Sequence, residues 1–208
     1  MSSRDAQLTR LFEWGIASKS LDHTARSGDH YVVKPIHGGA LLAVVDGLGH
    51  GEKAAEAAKI AVATVCEYTE GSIISIFSRC HERLKGTRGV VMSLALINAT
   101  DSTMTWAGVG NVKGLLLRGG RASAARVREN ILIQCSGVIG DRLPPLVAST
   151  KTMFDGDTVI FSTDGIRTGF DEGLNLRSAP QQIADSILAS YGTGYDDALV
   201  LVARYLSS

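Results

Sequence analysis

The stretch Ala40–Val65, ALLAVVDGLGHGEKAAEAAKIAVATV, contains the pattern that decides the fold. An apolar run ends at Asp46, a glycine-rich turn follows, and from Glu52 alanine and valine recur on one face of a predicted helix. The turn has two interpretations. The glycines between 47 and 51 can cradle the phosphates of a nucleotide, or Asp46 can be a metal ligand at the end of a strand.

Short strand-like segments surround this stretch, and turn residues such as His37-Gly38-Gly39 and Gly110-Asn111 join them. Short connections favour antiparallel pairing over parallel crossovers. Strands are predicted at 11–18, 30–36, 40–46, 89–98, 103–110, 112–120, 129–134, 157–163 and 198–206, and helices at 52–68, at 72–85 and after Pro180. This order predicts an α+β fold in which an antiparallel β-sandwich is flanked by α-helices, and it argues against a doubly wound fold.

Length and composition indicate one domain, residues 1–208, with an ordinary core: 45% of the residues are hydrophobic and 20% are charged. The 21 basic residues equal the 21 acidic residues, so no overall positive charge attracts nucleic acid or a membrane surface. The three cysteines lack metal-type spacing, and no apolar run approaches the roughly 18 residues of a membrane span. A cytoplasmic protein without nucleic-acid or membrane partners is expected.

Aspartates stand where several apolar strands begin or end. Asp46 and Asp164 follow strands as Asp-Gly, whereas Asp29 and the pair Asp196-Asp197 precede strands. In antiparallel neighbours, the end of one strand and the start of the next lie at the same edge, so these carboxylates are expected to converge. A single Asp-Gly commonly closes a hairpin. The combination instead favours a site for a hard cation, Mn²⁺ or Mg²⁺, with the Gly47 carbonyl as a further oxygen ligand.

The nucleotide interpretation fits less well. The dinucleotide fingerprint needs a glycine at position 52, where the chain has Glu52, and this carboxylate would repel a pyrophosphate at the helix N-terminus. No Gly-Lys-Ser/Thr sequence follows the glycines, so a P-loop is excluded as well.

Three motifs, DGLGHG at 46–51, STDGI at 162–166 and DDALVLV at 196–202, resemble those of the metal-dependent serine/threonine protein phosphatases of type 2C. Together with GDHYVV at 28–33, WAGVGNVKGLLL at 106–117 and SGVIG at 136–140, they are most similar to the bacterial branch that acts on regulators of alternative sigma factors, which includes stressosome phosphatases. The resemblance spans roughly residues 10 to 205.

The resemblance implies a four-layer αββα sandwich that carries two Mn²⁺ or Mg²⁺ ions on its rim. By this similarity Asp46 bridges both ions, the Gly47 carbonyl binds the first ion, and Asp164 and Asp196 bind the second.

Four further positions follow from the same resemblance with weaker support. Asp29 matches the early acidic position, which acts through a metal-bound water. Asp197 is an alternative ligand to Asp196, because relatives often have asparagine there. Arg26 is a candidate for phosphate binding and His50 for a general acid. The sequence favours a solvated loop arginine over phosphate binding at position 26, and a histidine at a helix start fits position 50 at least as well as a general acid.

The implied activity is hydrolysis of phosphoserine or phosphothreonine by a water that two metal ions activate. The implied substrates are phosphorylated regulators of bacterial stress signalling, such as stressosome-type antagonists. The alternative is a catalytically inactive phosphatase-fold scaffold that binds signalling partners, and the intact aspartates argue against it.

Overall fold

The computed structural model describes residues 11–21, 27–68, 70–119 and 132–207. Arg26 therefore lies outside the described residues. The strands are β1 (Phe12–Lys19), β2 (Asp29–Ile36), β3 (Gly39–Gly47), β4 (Val90–Asn98), β5 (Thr103–Val109), β6 (Lys113–Leu117), β7 (Ser149–Thr152), β8 (Thr158–Ser162) and β9 (Ala198–Tyr205). The helices are α1 (Glu52–Cys66), α2 (Ile73–Leu84) and α3 (Pro180–Tyr191).

The strands form two sheets. The first sheet has the order β1-β9-β8-β6, and the second has the order β2-β3-β4-β5-β7. Neighbouring strands within each sheet are antiparallel. A two-residue turn at His37-Gly38 joins β2 to β3, with Gly38 at a φ of 69°. The antiparallel arrangement confirms the strand pairing predicted from the short connections.

Three apolar layers hold the sheets and helices together. Side chains such as Leu42, Trp106 and Phe161 fill the space between the two sheets. A second layer joins the outer face of the five-stranded sheet to α1 and α2. A third layer joins the outer face of the four-stranded sheet to α3. The order helix, sheet, sheet, helix confirms the predicted four-layer αββα sandwich.

Small residues let the helices approach the sheets closely. A Cβ atom on Gly47 would lie 2.1 Å from the carbonyl oxygen of Ala54, so any other residue would push α1 away from the end of β3.

The starts of α2 and α3 are set by local residues. The hydroxyl of Ser72 accepts a hydrogen bond from the Ser75 N–H at 3.2 Å and caps α2. Pro180 starts α3, where its missing N–H costs nothing.

The sequence prediction fails at two places among the strands. A strand is predicted at 129–134, but its described part, residues 132–134, does not form one. The Leu132 N–H donates to the Gly114 carbonyl, and this bond is not continued as a ladder. Strand β7 was not predicted, since its sequence, STKT, is polar and lies half exposed at a sheet edge. No helix among the described residues is both long and apolar enough to cross a membrane.

Candidate metal centre

Two of the predicted aspartates are direct partners across neighbouring strands. Asp29 begins β2 and pairs with Asp46 near the end of β3, so their Cα atoms face each other in the antiparallel register. The positions that alternate with Asp46 on β3, including Val44 and Leu42, face the space between the sheets. Asp46 therefore belongs to the inner side of the sandwich, at its rim.

The other sheet supplies the remaining aspartates at the same rim. Asp164 follows the end of β8, and Asp196 precedes β9. Thr163 joins the two sheets, since its hydroxyl donates to Asp29 Oδ2 at 2.7 Å and accepts from the Leu199 N–H at 2.9 Å. The structure thus brings together carboxylates that are up to 168 positions apart in sequence, counted from Asp29 to Asp197.

An open cavity of about 470 Å³ lies over this rim. Asp46, Asp164 and Asp196 line it, together with Gly49 and Asn111 and with the loop 136–138. Asp29 is only 5% exposed and lies behind the cavity, where Thr163 holds it. A cavity lined by several carboxylates can receive a hydrated cation and an anionic ligand together.

Asp196 and Asp197 have separate environments. Asp197 is buried, and its carboxylate accepts bonds from the Gly28 N–H at 2.6 Å, the Leu21 N–H at 2.8 Å and the Ser20 hydroxyl at 3.2 Å. Asp196 is exposed and lines the cavity. Asp196 is therefore open to the cavity, whereas Asp197 holds the chain that leads into β2.

Burial, and then mutual repulsion, raise the pKa of three of these carboxylates. Burial, followed by repulsion from Asp29, Asp164, Asp196 and Asp197, raises the pKa of Asp46 to about 8. Burial also raises the pKa of Asp29 to about 7, although the bond from Thr163 opposes this shift. The pKa of Asp164 is raised by burial and then by Asp196, while the bond from Asn111 lowers it. The site is an accumulation of negative charge that binds protons when it has no cation.

The donor set fits divalent metal ions. Carboxylate oxygens are the ligands that Mg²⁺ and Mn²⁺ prefer, and in the described part of the chain no ion pair neutralises these aspartates. Among the described residues, no three His, Cys, Asp or Glu side chains are grouped closely enough to hold one metal ion between them. The fit therefore rests on the type of donor atoms that the cavity offers.

Asn111 is a site residue that the sequence reasoning missed. Its Nδ2 donates to Asp164 Oδ2 at 2.7 Å, and its side chain lines the cavity. In the sequence, Gly110-Asn111 indicates only a hairpin turn. The one available signal was its position directly after a strand that ends at the same rim.

Arg88 and His50 lie at the glycine-rich turn that follows β3. Arg88 Nη1 lies 3.5 Å from the His50 carbonyl oxygen and would lie 2.6 Å from a Cβ atom on Gly49. The side chain of His50 is exposed, and His50 does not line the cavity. Its predicted role as a general acid stays a prediction.

The loop 136–140 is held in place by the start of β4 and by the C-terminal part of α2. Ile139 and Val90 exchange two backbone bonds of 2.9 and 3.0 Å, and the Gly140 N–H donates to His81 Nδ1 at 3.1 Å. Gly140 has a φ of 104° and packs against Leu84. The end of α2 therefore sets the position of the cavity wall that faces the aspartates.

Comparisons with known proteins agree with this architecture. The family model described as "Stage II sporulation protein E (SpoIIE)" matches residues 37–206. The phosphoserine phosphatase RsbX of Bacillus subtilis (strain 168) is 28% identical over 181 residues, which cover 86% of this chain and 87% of RsbX.

Solved structures show the same fold. A chain from the structure described as "The bacterial stressosome: a modular system that has been adapted to control secondary messenger signaling" is 30% identical, with a TM-score of 0.81 over 93% of this chain and 99% of that chain. The crystal structure of RsbX in complex with magnesium is 23% identical, with a TM-score of 0.81 over 94% of this chain and 96% of that chain. The family model covers most of the chain and the resembling motifs lie on one rim, so the chain belongs to the SpoIIE family of type 2C phosphatase domains.

Proposed function

We propose that the chain is a metal-dependent protein phosphatase that hydrolyses phosphoserine or phosphothreonine on regulators of bacterial stress signalling, such as phosphorylated stressosome-type antagonists. The observation that carries the proposal is the convergence of Asp46, Asp164 and Asp196, from both sheets, around one open cavity. The name of its relative RsbX, a phosphoserine phosphatase, supports the substrate class.

The cofactors in this proposal are two Mn²⁺ or Mg²⁺ ions. Asp46 would hold both, with the Gly47 carbonyl beside it, and Asp164 and Asp196 would hold the second, while Asp29 would act from behind through water. Bound ions of this kind supply Lewis acidity, which lowers the pKa of water and offsets charge on phosphoryl oxygens. A relative of known structure contains magnesium, which supports the metal class.

The residues of the chain set up the reaction in three ways. Asp46 and Asp164 supply the negative charge that retains divalent cations, and without those cations the same charge would repel a phosphate. Asn111 orients the carboxylate of Asp164 through its amide bond. The open cavity admits a side chain that projects from a folded protein surface, as the phosphoserine of a regulator does.

The first experiment measures hydrolysis of para-nitrophenyl phosphate and of a phosphoserine peptide, with and without Mn²⁺, for the wild type and for Asp46→Asn. Removal of one of the central ligands is expected to lower kcat by at least about 100-fold, because transition-state charge is no longer offset. Asp141→Asn, at an exposed position, is the matched control and keeps wild-type activity. Activity that survives chelation, or that Asp46→Asn leaves intact, contradicts the proposal.

The scaffold alternative makes a different prediction for metal uptake. An inactive scaffold has no need to bind Mn²⁺, whereas the proposed enzyme binds it through Asp46 and Asp164. Isothermal titration with millimolar Mn²⁺ distinguishes the two, and a wild-type protein that takes up no metal favours the scaffold.

We also propose that residues 1–208 form a single domain and that the protein acts in the cytoplasm. A shared core between the two sheets supports the first statement. The free state of Cys66, Cys80 and Cys135 supports the second, since unpaired thiols suit a reducing compartment.

A further inference from the structure

A second cavity, of about 540 Å³, lies beside the metal centre. It is bounded by the end of β1, the C-terminal half of α3 and the loop 192–196. Asp196 lines both cavities, so the two cavities meet at this residue. We call this second cavity the α3 groove, and its principal side chains are Lys19, Leu21, Asp185, Leu188, Ala189 and Asp196.

The α3 groove is lined by both apolar and charged side chains. Leu188 and Ala189 of α3 contribute apolar surface, as does Leu21, which is 44% exposed. Tyr195 lies between the groove residues Gly194 and Asp196 and is 88% exposed. These exposed side chains leave apolar surface available for contact with another molecule.

The walls of the groove are fixed before any ligand arrives. Asp197 ties down Ser20 and Leu21 through its carboxylate, as described above. The other wall is tied down by the Thr193 N–H, which donates to the Gly165 carbonyl at 2.8 Å, and by the Gly192 N–H, which donates to Leu188. A pre-formed cavity loses little conformational entropy on binding.

Its size and position suit a segment of polypeptide. Cavities of about 300–1,000 Å³ are typical for bound ligands, and extended chain advances by about 3.3–3.6 Å per residue. Because Asp196 lines both cavities, a polypeptide whose phosphoserine lies among Asp46, Asp164 and Asp196 and whose chain runs past Asp196 would place its next residues over the α3 groove. An apolar side chain there would cover Leu21 and Leu188.

We propose that the α3 groove binds the substrate polypeptide next to its phosphoserine and selects an apolar side chain there. Leu21 and Tyr195 are then specificity-determining residues. This inference rests on the proposed function, since it requires a phosphorylated protein as the substrate.

The test uses phosphoserine decapeptides with an alanine background, in which leucine or aspartate stands at each of the three positions on either side of the phosphoserine. The wild type is expected to prefer leucine by about tenfold in kcat/KM at one or two positions on one side only. Leu21→Asp is expected to abolish or reverse this preference, and Tyr195→Ala is expected to weaken it.

Controls separate groove effects from effects on the catalytic site. Hydrolysis of para-nitrophenyl phosphate, which has no neighbouring residues, stays within about twofold in both variants. Val147→Asp and Phe154→Ala change exposed apolar residues outside the groove and keep the leucine preference. Thermal unfolding shows that each variant is folded.

Three outcomes overturn the inference: a wild type without a side preference, a Leu21→Asp variant that keeps the preference, or variants that lose para-nitrophenyl phosphate hydrolysis to the same extent as peptide hydrolysis. If the wild type hydrolyses neither substrate with Mn²⁺ present, the proposed function itself fails. If it hydrolyses both but the preference is absent, only the α3 groove assignment fails.

Discussion

Asp196 and Asp197 are adjacent in sequence, but the structure gives them different surroundings. Asp197 is buried and accepts three bonds, so Asp197→Ala is expected to lower the free energy of unfolding by about 3 kcal/mol, because buried donors lose their acceptor. Asp196→Ala is expected to lower the metal-dependent rate while leaving the midpoint of thermal unfolding nearly unchanged. Calorimetry and para-nitrophenyl phosphate assays on both variants check this division, and the opposite pattern would assign the metal to Asp197.

Asn111 lowers the pKa of the Asp164 carboxyl. Its amide bond to Asp164 opposes the rise in the pKa of that carboxyl, so Asn111→Ala is expected to raise this pKa further. The acid limb of the pH profile of kcat/KM then moves to higher pH, because protons compete with metal ions up to a higher pH. Profiles at fixed Mn²⁺ measure the shift. Asn175→Ala, which removes a bond to the Arg177 N–H, is the control, and an unshifted limb in Asn111→Ala contradicts the argument.

A side chain of α3 makes hydrogen bonds with the backbone at the outer edge of strand β1. Gln181 Oε1 accepts from the Ile16 N–H at 3.0 Å, and its Nε2 donates to the Ile16 carbonyl at 2.7 Å, as a neighbouring strand would. A Cβ atom on Gly15 would lie 2.3 Å from the Gln181 backbone, so only glycine permits this approach. Gln181→Ala is expected to lower the free energy of unfolding by about 2 kcal/mol, since both bonds to Ile16 are lost together with the bond from Nε2 to Asp185 Oδ1 at 2.9 Å. Urea unfolding measures it, with the exposed Ser186→Ala as control; equal stability of the two variants would contradict it.

Elements with strong apolar periodicity could be predicted from the sequence. The apolar runs of β3, β4 and β9 and the alanine-rich face of α1 each determine local structure by themselves. Strand β7 could not be predicted in this way, since its pairing with β5 comes from long-range contacts. The end of α1 also depends on a distant residue, because Lys34 Nζ on β2 binds the Cys66 and Tyr68 carbonyls.

The site could be predicted in part for the same physical reason. The antiparallel rule places strand ends and starts at one edge, and this brought Asp29 and Asp46 together correctly. The choice between Asp196 and Asp197 stayed open in the sequence, since the donors that bury Asp197 are the distant residues Ser20, Leu21 and Gly28. The contribution of Asn111 depends likewise on a contact made only in the folded chain.

Across the whole molecule, three apolar layers stabilise a rim that is itself unfavourable without metal. The pKa of Asp46 is about 8 and that of Asp29 about 7, compared with an ordinary value of 3.8. The metal-free folded chain therefore binds more protons than the unfolded chain between about pH 4 and pH 8. Since stability falls with pH wherever the folded state binds more protons, these two groups weaken the fold progressively across that window.

This linkage predicts opposite pH trends with and without metal. The midpoint of thermal unfolding of the metal-free protein is expected to fall between pH 5.5 and pH 8.5, while the increase caused by 5 mM Mg²⁺ or Mn²⁺ grows over the same range, because cations replace the protons on Asp46 and Asp29. Differential scanning fluorimetry at constant ionic strength measures both. In Asp46→Asn one titrating carboxyl is absent, so both slopes are expected to flatten. A metal-free midpoint that is constant with pH, or a metal effect that is as large at pH 5.5 as at pH 8.5, would show that these carboxylates do not hold the cation.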